Sequence, residues 1–175
     1  MMSFSDRYIR PFLVFVLLIF PVLAGAQYCF PSNKDAESYF VVNAGTVKDT
    51  RSGLTWMRCA LGQTWQSQTC VPLYERLNWR EAELTIDQLN RQGGIFEHND
   101  WRLPTMAELL MIVDSRCDRP ALDVRVFPRA PITAYWTSTP DPDYSSGAML
   151  VHFVNGRAYM GNRSLAWAVR LVRDP

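Results

Sequence analysis

Residues 100–109 read DWRLPTMAEL and join an extended segment directly to the start of a helix. Pro104 disfavours helical angles at Leu103, so the stretch before it is predicted to be extended. Thr105 is a good N-cap, and Glu108 three residues later completes a capping-box pattern. The sequence therefore predicts a helix that begins after Thr105. Its buried stripe would consist of Leu109, Ile112 and Val113.

An earlier helix is predicted by the same signals. Asn78 is a good N-cap, and Glu81 stands three residues later, as in a capping box. Apolar residues then recur at helical spacing, and Gly93 and Gly94 end the helix. The apolar positions are Trp79, Ala82, Ile86 and Leu89.

Short runs of β-branched and aromatic residues predict strands on both sides of the two helices. Before the helices, the predicted strands are residues 39–42, 46–49 and 54–57. After them, the predicted strands are residues 132–137, 148–154, 157–160 and 165–172, with Asn155-Gly156 as a hairpin turn. This order of elements indicates one small α+β domain.

The composition is that of a folded chain, with 48% hydrophobic and 13% aromatic residues. Disordered chains are poor in aromatic residues and carry a large net charge, whereas the formal net charge here is +1. A charge so close to zero also gives no support for nucleic-acid binding, which needs a strongly basic face. We therefore predict a folded protein that does not bind nucleic acid.

Residues 1–26 have the pattern of a secretory signal peptide. Arg7 and Arg10 precede the apolar run 12–20, and Ala24-Gly25-Ala26 supplies the small residues of a cleavage site. Spanning a bilayer takes roughly 20 apolar residues, so we expect no stable membrane span after cleavage. The sequence predicts a periplasmic or secreted protein, or one at the cell surface.

Four cysteines follow the predicted signal peptide, and export would place them where disulfides persist. Four cysteines allow three pairings. Cys59 and Cys70 bracket a Gly- and Gln-rich stretch, which predicts a loop closed by a disulfide between them. The remaining pair, Cys29 and Cys117, would tie the N-terminal strand to the end of a helix.

Several short motifs follow one another along the chain. They are GTVKD at 45–49, GLTW at 53–56, Cys59, Trp79, Gly94, DWRLP at 100–104, Glu108-Leu109, Phe127-Pro128, YWTS at 135–138, Phe153, Gly156 and VRLVR at 169–173. This order resembles the Lcl C-terminal domain family, which is named for the head of a bacterial collagen-like adhesin. We accordingly divide the chain into a signal peptide at 1–26, an N-terminal segment at 27–38 and a domain at 39–175.

The resemblance implies a C-type-lectin-like fold, related to the formylglycine-generating-enzyme group. Two helices would pack on short antiparallel sheets, with long loops facing outward. It also implies a recognition role, because the head of the named adhesin binds sulfated glycans and host surfaces. This sequence has no Gly-X-Y repeat, so the resemblance does not extend to the collagen-like stalk or to the avidity that a stalk provides.

Catalysis is not expected. Formylglycine-generating enzymes use a cysteine pair near the C-terminus as a copper site, whereas the last cysteine here is Cys117. A nucleophilic triad needs Ser or Cys with His and a carboxylate, and His98 has the sequence context of a turn histidine.

Zinc is disfavoured because no C-x-x-C spacing occurs. Residues 141–144 favour a solvated turn over a calcium loop. We predict a protein with no cofactor and no metal.

Three side chains are candidates for binding. Trp65 lies in the predicted disulfide-closed loop, where it would either stack on a glycan or fold back as a lid. Arg157 and Arg163 lie in a C-terminal region of net positive charge. On a shared exposed face, these two arginines would bind a sulfate, a carboxylate or an acidic surface.

Four further residues of the motifs are predicted to order the fold. Arg102 and Arg170 would form buried or half-buried ion pairs with Asp100 and Glu108. Bidentate pairing of this kind suits arginine far better than lysine.

Three functions remain open from the sequence. The first is an exported, adhesin-like recognition module without catalysis, which binds a glycan or a protein surface. The second is a structural subunit of an envelope or pilus-type assembly, in which the same surface packs against a partner chain. The third, disfavoured by the cysteine positions, is an enzyme related to the formylglycine-generating group.

Overall fold

The computed structural model describes residues 27–30, 39–71 and 73–175. The predicted signal peptide lies outside the described residues, as does most of the predicted segment at 27–38. Within the described part, helices and antiparallel sheets form the α+β arrangement that the sequence predicted. No helix in this part is both long and apolar enough to span a bilayer.

Two helices separate an early group of strands from a late one. The helices are α1 (Trp79–Arg91) and α2 (Met106–Met111). The strands are β1 (Tyr28–Cys29), β2 (Phe40–Val42), β3 (Thr46–Asp49), β4 (Thr55–Met57), β5 (Thr64–Gln66), β6 (Thr69–Val71), β7 (Cys117–Asp118), β8 (Ala134–Pro140), β9 (Gly147–His152), β10 (Arg157–Asn162) and β11 (Val172–Arg173).

The described strands form four sheets, and every pair of strands within them is antiparallel. The four-stranded sheet has the order β11-β4-β3-β2, and the three-stranded sheet has the order β10-β9-β8. Two small sheets consist of β1 with β7 and of β5 with β6. The end of the chain returns to the early strands, because Val172 of β11 pairs with Trp56 of β4.

Both helices begin at the predicted residues. The side chain of Asn78 accepts a hydrogen bond from the backbone N–H of Glu81 at 2.9 Å, and the Glu81 carboxylate accepts one from the N–H of Asn78. Thr105 and Glu108 form the same reciprocal pair at α2. These capping boxes satisfy backbone donors that a helix start otherwise leaves without a partner.

The predicted strand over 165–172 is wrong for most of its length, because only Val172–Arg173 forms a strand there. The preceding residues change partners in turn: Trp167 bridges to Leu77, and Ala168 bridges to Tyr135. The segment crosses between sheets and is buried on all sides from residue 168 to residue 172. The alternation of buried and exposed side chains that a strand shows is therefore absent from residues 168–172.

The stretch between Cys59 and Cys70 contains a hairpin, β5–β6, where the sequence predicted only a loop. Its two turn residues, Ser67 and Gln68, have φ angles of 49° and 63°. Two-residue hairpin turns need this left-handed backbone, which Asn-Gly or Gly-Gly usually supplies. Ser-Gln lacks that signature, so the turn could not be recognised from its residues.

The two predicted disulfides are confirmed. Cys59 is bonded to Cys70 and closes the β5–β6 hairpin, with a sequence separation of 11. Cys29 is bonded to Cys117 and joins β1 to β7, with a sequence separation of 88. The second bond fastens the N-terminal end of the described chain to the segment that follows α2.

The three-stranded sheet lies between two hydrophobic clusters. One cluster contains Tyr135, Val151 and Phe153 from one side of the sheet, together with Leu109 of α2. The other contains residues from the opposite side of the sheet and from α1. Its members include Ala82, Ile86, Trp101, Trp136 and Leu150. Among the tryptophans, Trp56, Trp101 and Trp136 are buried, whereas Trp79 and Trp167 are half-buried.

Candidate functional site

Strand β10 is an edge of the three-stranded sheet. It pairs with β9 without interruption, from Arg157 opposite His152 to Asn162 opposite Gly147. The pairing continues beyond the strand, where the N–H of Arg163 donates to the carbonyl of Ser146 at 3.0 Å. The register shows that only one side of β10 is paired.

Hydrogen bonding alternates along an antiparallel strand, which fixes the direction of each backbone group. Because Arg163 is bonded towards β9, the residues at odd positions of β10 face β9 with their N–H and C=O groups. Ala158, Met160 and Asn162 therefore direct these groups away from the sheet. The Asn162 carbonyl already accepts the N–H of Leu165 at 3.0 Å. The remaining outward groups form an open edge.

Four large apolar side chains are exposed on and around this edge. The exposed fractions are 65% for Tyr144, 43% for Tyr159, 57% for Met160 and 50% for Leu165. Tyr159 and Met160 are neighbours in the strand and project to opposite faces of the sheet, so exposed apolar side chains lie on both sides of this edge. We call these four residues and strand β10 the β10 surface.

Two cavities adjoin β10, and both include Met160, Gly161 and Asn162 in their walls. The first has a volume of about 260 Å³ and is lined further by His152, Tyr159, Leu165 and Trp167. The second has a volume of about 320 Å³ and is lined further by Asp141, Tyr144 and Ser146. The first is apolar and aromatic, and the second is more polar.

Gly161 allows the sheet to pack closely at this point. A Cβ atom there would lie 2.5 Å from Cδ2 of Leu150 and 3.2 Å from the ring of Trp136. Separations this short require neighbouring atoms to move. Glycine therefore lets the buried ring of Trp136 lie directly against β10, which holds the strand in place beneath its exposed residues.

Polar contacts fix the turn that leads into β10. The Nδ1 atom of His152 accepts a hydrogen bond from the N–H of Val154 at 3.2 Å, and the His152 ring packs edge-on against Tyr159. The Tyr159 hydroxyl accepts a hydrogen bond from the side-chain amide of Asn155 at 2.8 Å. Tyr159 is thus an exposed aromatic ring in a fixed position, which lowers the entropy cost of binding against it.

Arg157 and Arg163 stand at opposite ends of β10 and do not form one patch. Six strand residues span roughly 20 Å. The Arg157 side chain is exposed, and its guanidinium forms neither a hydrogen bond nor an ion pair with a described residue. The Arg163 guanidinium stacks on the ring of Trp79 at 4.2 Å. The backbone carbonyl of Arg163 also accepts a hydrogen bond from the backbone N–H of Trp79. The two arginines flank the open edge.

Trp65 lies on β5 and is half-buried. The guanidinium of Arg58 stacks on its ring at 4.3 Å. Arg58 is held by the carbonyls of Val126 and Arg125, at 2.7 Å and 2.9 Å, and burial lowers the pKa of its guanidinium. One face of the Trp65 ring is therefore covered from within the protein. This contact favours the folded-back arrangement over the glycan platform.

Arg102 forms the centre of a network of ion pairs. Its two terminal nitrogens each lie 2.8 Å from a different oxygen of Glu108, and it also contacts Asp174. These hydrogen bonds lower the pKa of the Glu108 carboxyl and raise the pKa of Arg102. The backbone of Arg102 also bonds to Val172 in both directions. The motif at 100–109 is thus fastened to the last strand.

The ion pair predicted for Arg170 is not formed. Asp100 is paired instead with Arg173, at 2.8 Å and 2.9 Å, and Glu108 is paired with Arg102. Arg170 is fully buried, and its Nη1 donates to the carbonyls of Met57 and Arg58.

Aromatic rings take the place of a carboxylate at Arg170. Its guanidinium lies 4.6 Å from the ring centre of Phe127 and 5.5 Å from that of Tyr135. Burial lowers the pKa of Arg170 and raises the pKa of Tyr135 to about 12. The side chain faces the core because its segment crosses between sheets, so the alternation expected of a strand does not bring it towards either carboxylate.

A third cavity, of about 390 Å³, lies between α1 and the motif at 100–109. Its charged walls are Glu83, Asp87 and Arg102, with Ser138 and Thr105 beside them. Burial raises the pKa of the Glu83 carboxyl. Arg102 is already engaged by two carboxylates, and neither His nor Cys is among the described residues that line the cavity.

The candidate catalytic groups are likewise separated in the described part of the chain. All cysteines there are in disulfides, and the described residues contain no cluster of three side chains with the donors that a metal ion would need. His98 packs edge-on against Trp101. The carboxylate of Asp141 accepts the backbone N–H groups of Asp143 and Tyr144, which makes residues 141–144 a closed turn.

Sequence reasoning did not identify the β10 surface. It predicted the strand and its flanking arginines, but it gave no role to Tyr144, Tyr159, Met160 or Leu165. The predicted strand over 165–172 could have paired with the outer side of β10, and the structure shows that the strand there, Val172–Arg173, pairs with β4 instead. The exposure of these side chains depends on the path of the segment after β10, which cannot be read from the residues of β10 themselves.

The described structure defines a class of protein: a disulfide-bonded α+β domain whose late three-stranded sheet has an open, aromatic edge. Residues 45–173 match the Lcl C-terminal domain family, and the chain belongs to that family. No curated protein matches this sequence.

Proposed function

We propose that the chain is an exported, adhesin-like recognition domain that binds a glycan or a protein surface and catalyses no reaction. Membership of the Lcl C-terminal domain family supports a surface or adhesin-like role. Both disulfides suit an oxidising compartment, either the periplasm or the cell exterior. The apparent signal peptide at 1–26 supports the same location.

The proposed domain has a C-type-lectin-like fold. Two helices, small antiparallel sheets and the return of β11 to the early strands support this assignment. The connection between β8 and β9, residues 141–146, and the turn of the disulfide-closed hairpin would face outward. A fold of this kind positions a binding surface without requiring a catalytic constellation, so function has to be argued from the surface itself.

The observation that carries the proposal is the β10 surface. Tyr159 and Tyr144 are exposed aromatic rings of the kind that stack on sugar rings or anchor protein interfaces. Polar groups lie beside them, including Asn162 and Ser146 in the cavity walls. Aromatic faces with a few fixed polar groups are typical of recognition sites.

Absence of catalysis is part of the proposal and is supported by the chemistry of the side chains. The thiol groups of the described cysteines are consumed in disulfides. His152 accepts a backbone hydrogen bond through Nδ1, and it has neither a carboxylate nor a nucleophilic side chain as partner among the described residues. A group held in this way positions the turn that leads into β10.

A glycan array and a pull-down from envelope extracts, both with the oxidised protein, test the proposal. The informative variant is Tyr159→Ala with Met160→Ser, and the control is Leu84→Ala, which removes an equally exposed apolar side chain from α1. We expect the double variant to lose about tenfold or more of the binding that the wild type shows, since exposed aromatic anchors dominate such interfaces. Unchanged binding in the double variant, or turnover of a bound glycan, would contradict the proposal.

The open edge of β10 also favours a second function, that of a structural subunit of an envelope or pilus-type assembly. Strand edges are natural positions for pairing between chains. An assembly subunit would be recovered from envelope extracts in a complex of defined composition. A free recognition domain would be recovered alone.

A further inference from the structure

We propose that β10 accepts an extended, acidic segment of a partner protein as an additional antiparallel strand. This inference rests on the proposed recognition function and specifies its partner. Three features of the described structure carry it: the open backbone edge, the two cavities that adjoin that edge, and the arginines at its ends.

The edge lacks the features that usually prevent strand addition. Natural edge strands are protected by lysines, prolines, bulges or inward-pointing charges. Between its terminal arginine and Asn162, β10 reads AYMG, with no charge and no proline. Its register with β9 contains no bulge, whereas the register between β8 and β9 shifts between Trp136 and Pro140.

The geometry supplies both parts of strand recognition. Ala158 and Met160 direct backbone donors and acceptors outward, which provides affinity for any extended chain. An added strand would send alternate side chains to opposite faces of the sheet. The cavity of about 260 Å³ is lined by Tyr159 and Leu165, and the cavity of about 320 Å³ is lined by Tyr144 and Ser146. These cavities would select the side chains of the added strand.

Charge complementarity selects an acidic partner. Arg157 is exposed without a described partner, and Arg163 lies about one strand length away, stacked on Trp79. The carboxylate in the walls of these two cavities, that of Asp141, is buried and already accepts two backbone N–H groups. Glu83 of α1 interacts electrostatically with Arg163, so Arg157 is the less compensated of the two arginines. A strand with acidic residues near both ends would therefore meet a positive charge at each end.

The same arginines disfavour a second copy of this chain as the partner. In the antiparallel register centred on Met160, which pairs the most outward residues, two copies of β10 would place Met160 opposite Met160 and Ala158 opposite Asn162. In that register Arg157 of each copy stands opposite Arg163 of the other, and like charges directly opposite are destabilising. The surface is therefore better suited to a different, acidic chain.

The test uses a seven-residue capped peptide, Glu-Val-Thr-Val-Thr-Val-Glu, labelled with a fluorophore and titrated with the oxidised protein. One control peptide carries Lys in place of both Glu residues. A second control peptide is N-methylated at alternate residues on its pairing side, which removes its backbone donors. We expect each control peptide to bind about tenfold more weakly, because strand addition needs both the backbone and the charge.

Two protein variants complete the design. Arg157→Glu should weaken binding of the acidic peptide and strengthen binding of the lysine peptide, whereas Arg80→Glu, at an exposed position on α1, should change neither. Met160→Pro removes an outward N–H, which an edge strand tolerates, and should abolish peptide binding with α1 and α2 intact by circular dichroism. If this variant does not fold, the N-methylated peptide provides the same test on the unaltered protein.

The outcomes separate this inference from the proposed function. Equal binding of the acidic and N-methylated peptides, or no binding of the acidic peptide while glycans or an envelope partner still bind, would overturn strand addition and leave the recognition role intact. A dimer of the protein alone that is lost in Met160→Pro would also overturn it in favour of self-pairing. Failure of every ligand to bind would overturn the recognition role itself.

Discussion

Arg102 and Glu108 are joined by two parallel hydrogen bonds, each 2.8 Å long, between the guanidinium and the carboxylate. The same carboxylate accepts the backbone N–H of Thr105 at 2.7 Å and thereby caps α2. One side chain thus connects an extended segment, a helix start and, through Arg102, the last strand. Glu108 therefore couples local structure to the closure of the domain.

Glu108→Gln should lower the free energy of unfolding by about 1–2 kcal/mol more than Glu81→Gln does. Both glutamates hold the third position of a capping box, and glutamine can fill that role. Glu108 additionally makes the ion pair with Arg102, whereas the described residues offer Glu81 no such pair. Urea denaturation of the two variants measures the difference. Equal losses would show that the ion pair contributes no net stability.

The domain should lose stability in acid. Hydrogen bonds from Arg102 and Arg116, respectively, hold the pKa values of Glu108 and Asp114 below their ordinary range. A carboxyl whose pKa is lower in the folded state stabilises the fold above its unfolded pKa, and this contribution is lost as the pH falls through the folded value. With unfolded values of about 4, the loss begins near pH 5 and grows towards lower pH.

Urea denaturation at a series of pH values between neutrality and acid measures this loss. Glu108→Gln removes one of the two groups, so its stability should depend less on pH than that of the wild type. Stability that stays constant into strong acid, or an identical acid loss in Glu108→Gln, would contradict the assignment.

The two disulfides should contribute unequally. In the chain-entropy model a bond stabilises by restricting the unfolded chain, and the restriction grows with loop length. The separation of 88 residues between Cys29 and Cys117 corresponds to about 4–5 kcal/mol, and the separation of 11 residues between Cys59 and Cys70 corresponds to about 3 kcal/mol. Replacing each pair by serine and measuring the free energy of unfolding tests the order. A larger loss for the short loop would show that native contacts outweigh chain entropy.

Trp65→Ala should lower stability more than it lowers binding. Its ring lies under the guanidinium of Arg58, and such a contact contributes about 0.5–2 kcal/mol. Thermal unfolding measures the first effect, and binding to the ligand found by the array or pull-down measures the second. Loss of binding without loss of stability would restore the glycan platform as the role of this residue.

Capping and turn chemistry made much of the fold predictable. Asn78 with Glu81, and Thr105 with Glu108, identified both helix starts because the interactions at a helix start involve residues close in sequence. The disulfide pairs followed from the spacing of few cysteines. The hairpin turn at Ser67-Gln68 and the path of residues 165–171 could not be predicted, since each depends on tertiary partners.

The candidate site was less predictable for the same reason. Arg157 and Arg163 drew attention through their charge, which is a property of the sequence. The open edge between them exists because the chain leaves β10 through Leu165 and crosses towards Leu77, so no other described strand pairs with it. Similarly, Arg170 resembled an ion-pair residue until the structure placed it between aromatic rings, away from both predicted carboxylates.

Arg170→Ala should be among the most destabilising single substitutions in the domain, with a loss of about 3–5 kcal/mol. The substitution empties a fully buried volume beside Phe127 and leaves the carbonyls of Met57 and Arg58 without their donor. Arg170→Met keeps most of the volume and removes the charge together with its desolvation cost, so it should cost less by about 1–2 kcal/mol.

Chemical denaturation of both variants distinguishes packing from polar bonding at Arg170. If packing dominates, the methionine variant retains most of the stability and the alanine variant does not. If both variants lose the same amount, the hydrogen bonds to the two carbonyls are the essential contribution, because neither replacement can donate them. A methionine variant less stable than the alanine variant would contradict both the packing account and the hydrogen-bond account. A well-fitting methionine fills volume that alanine leaves empty, so this result would mean that the methionine side chain is strained in this site.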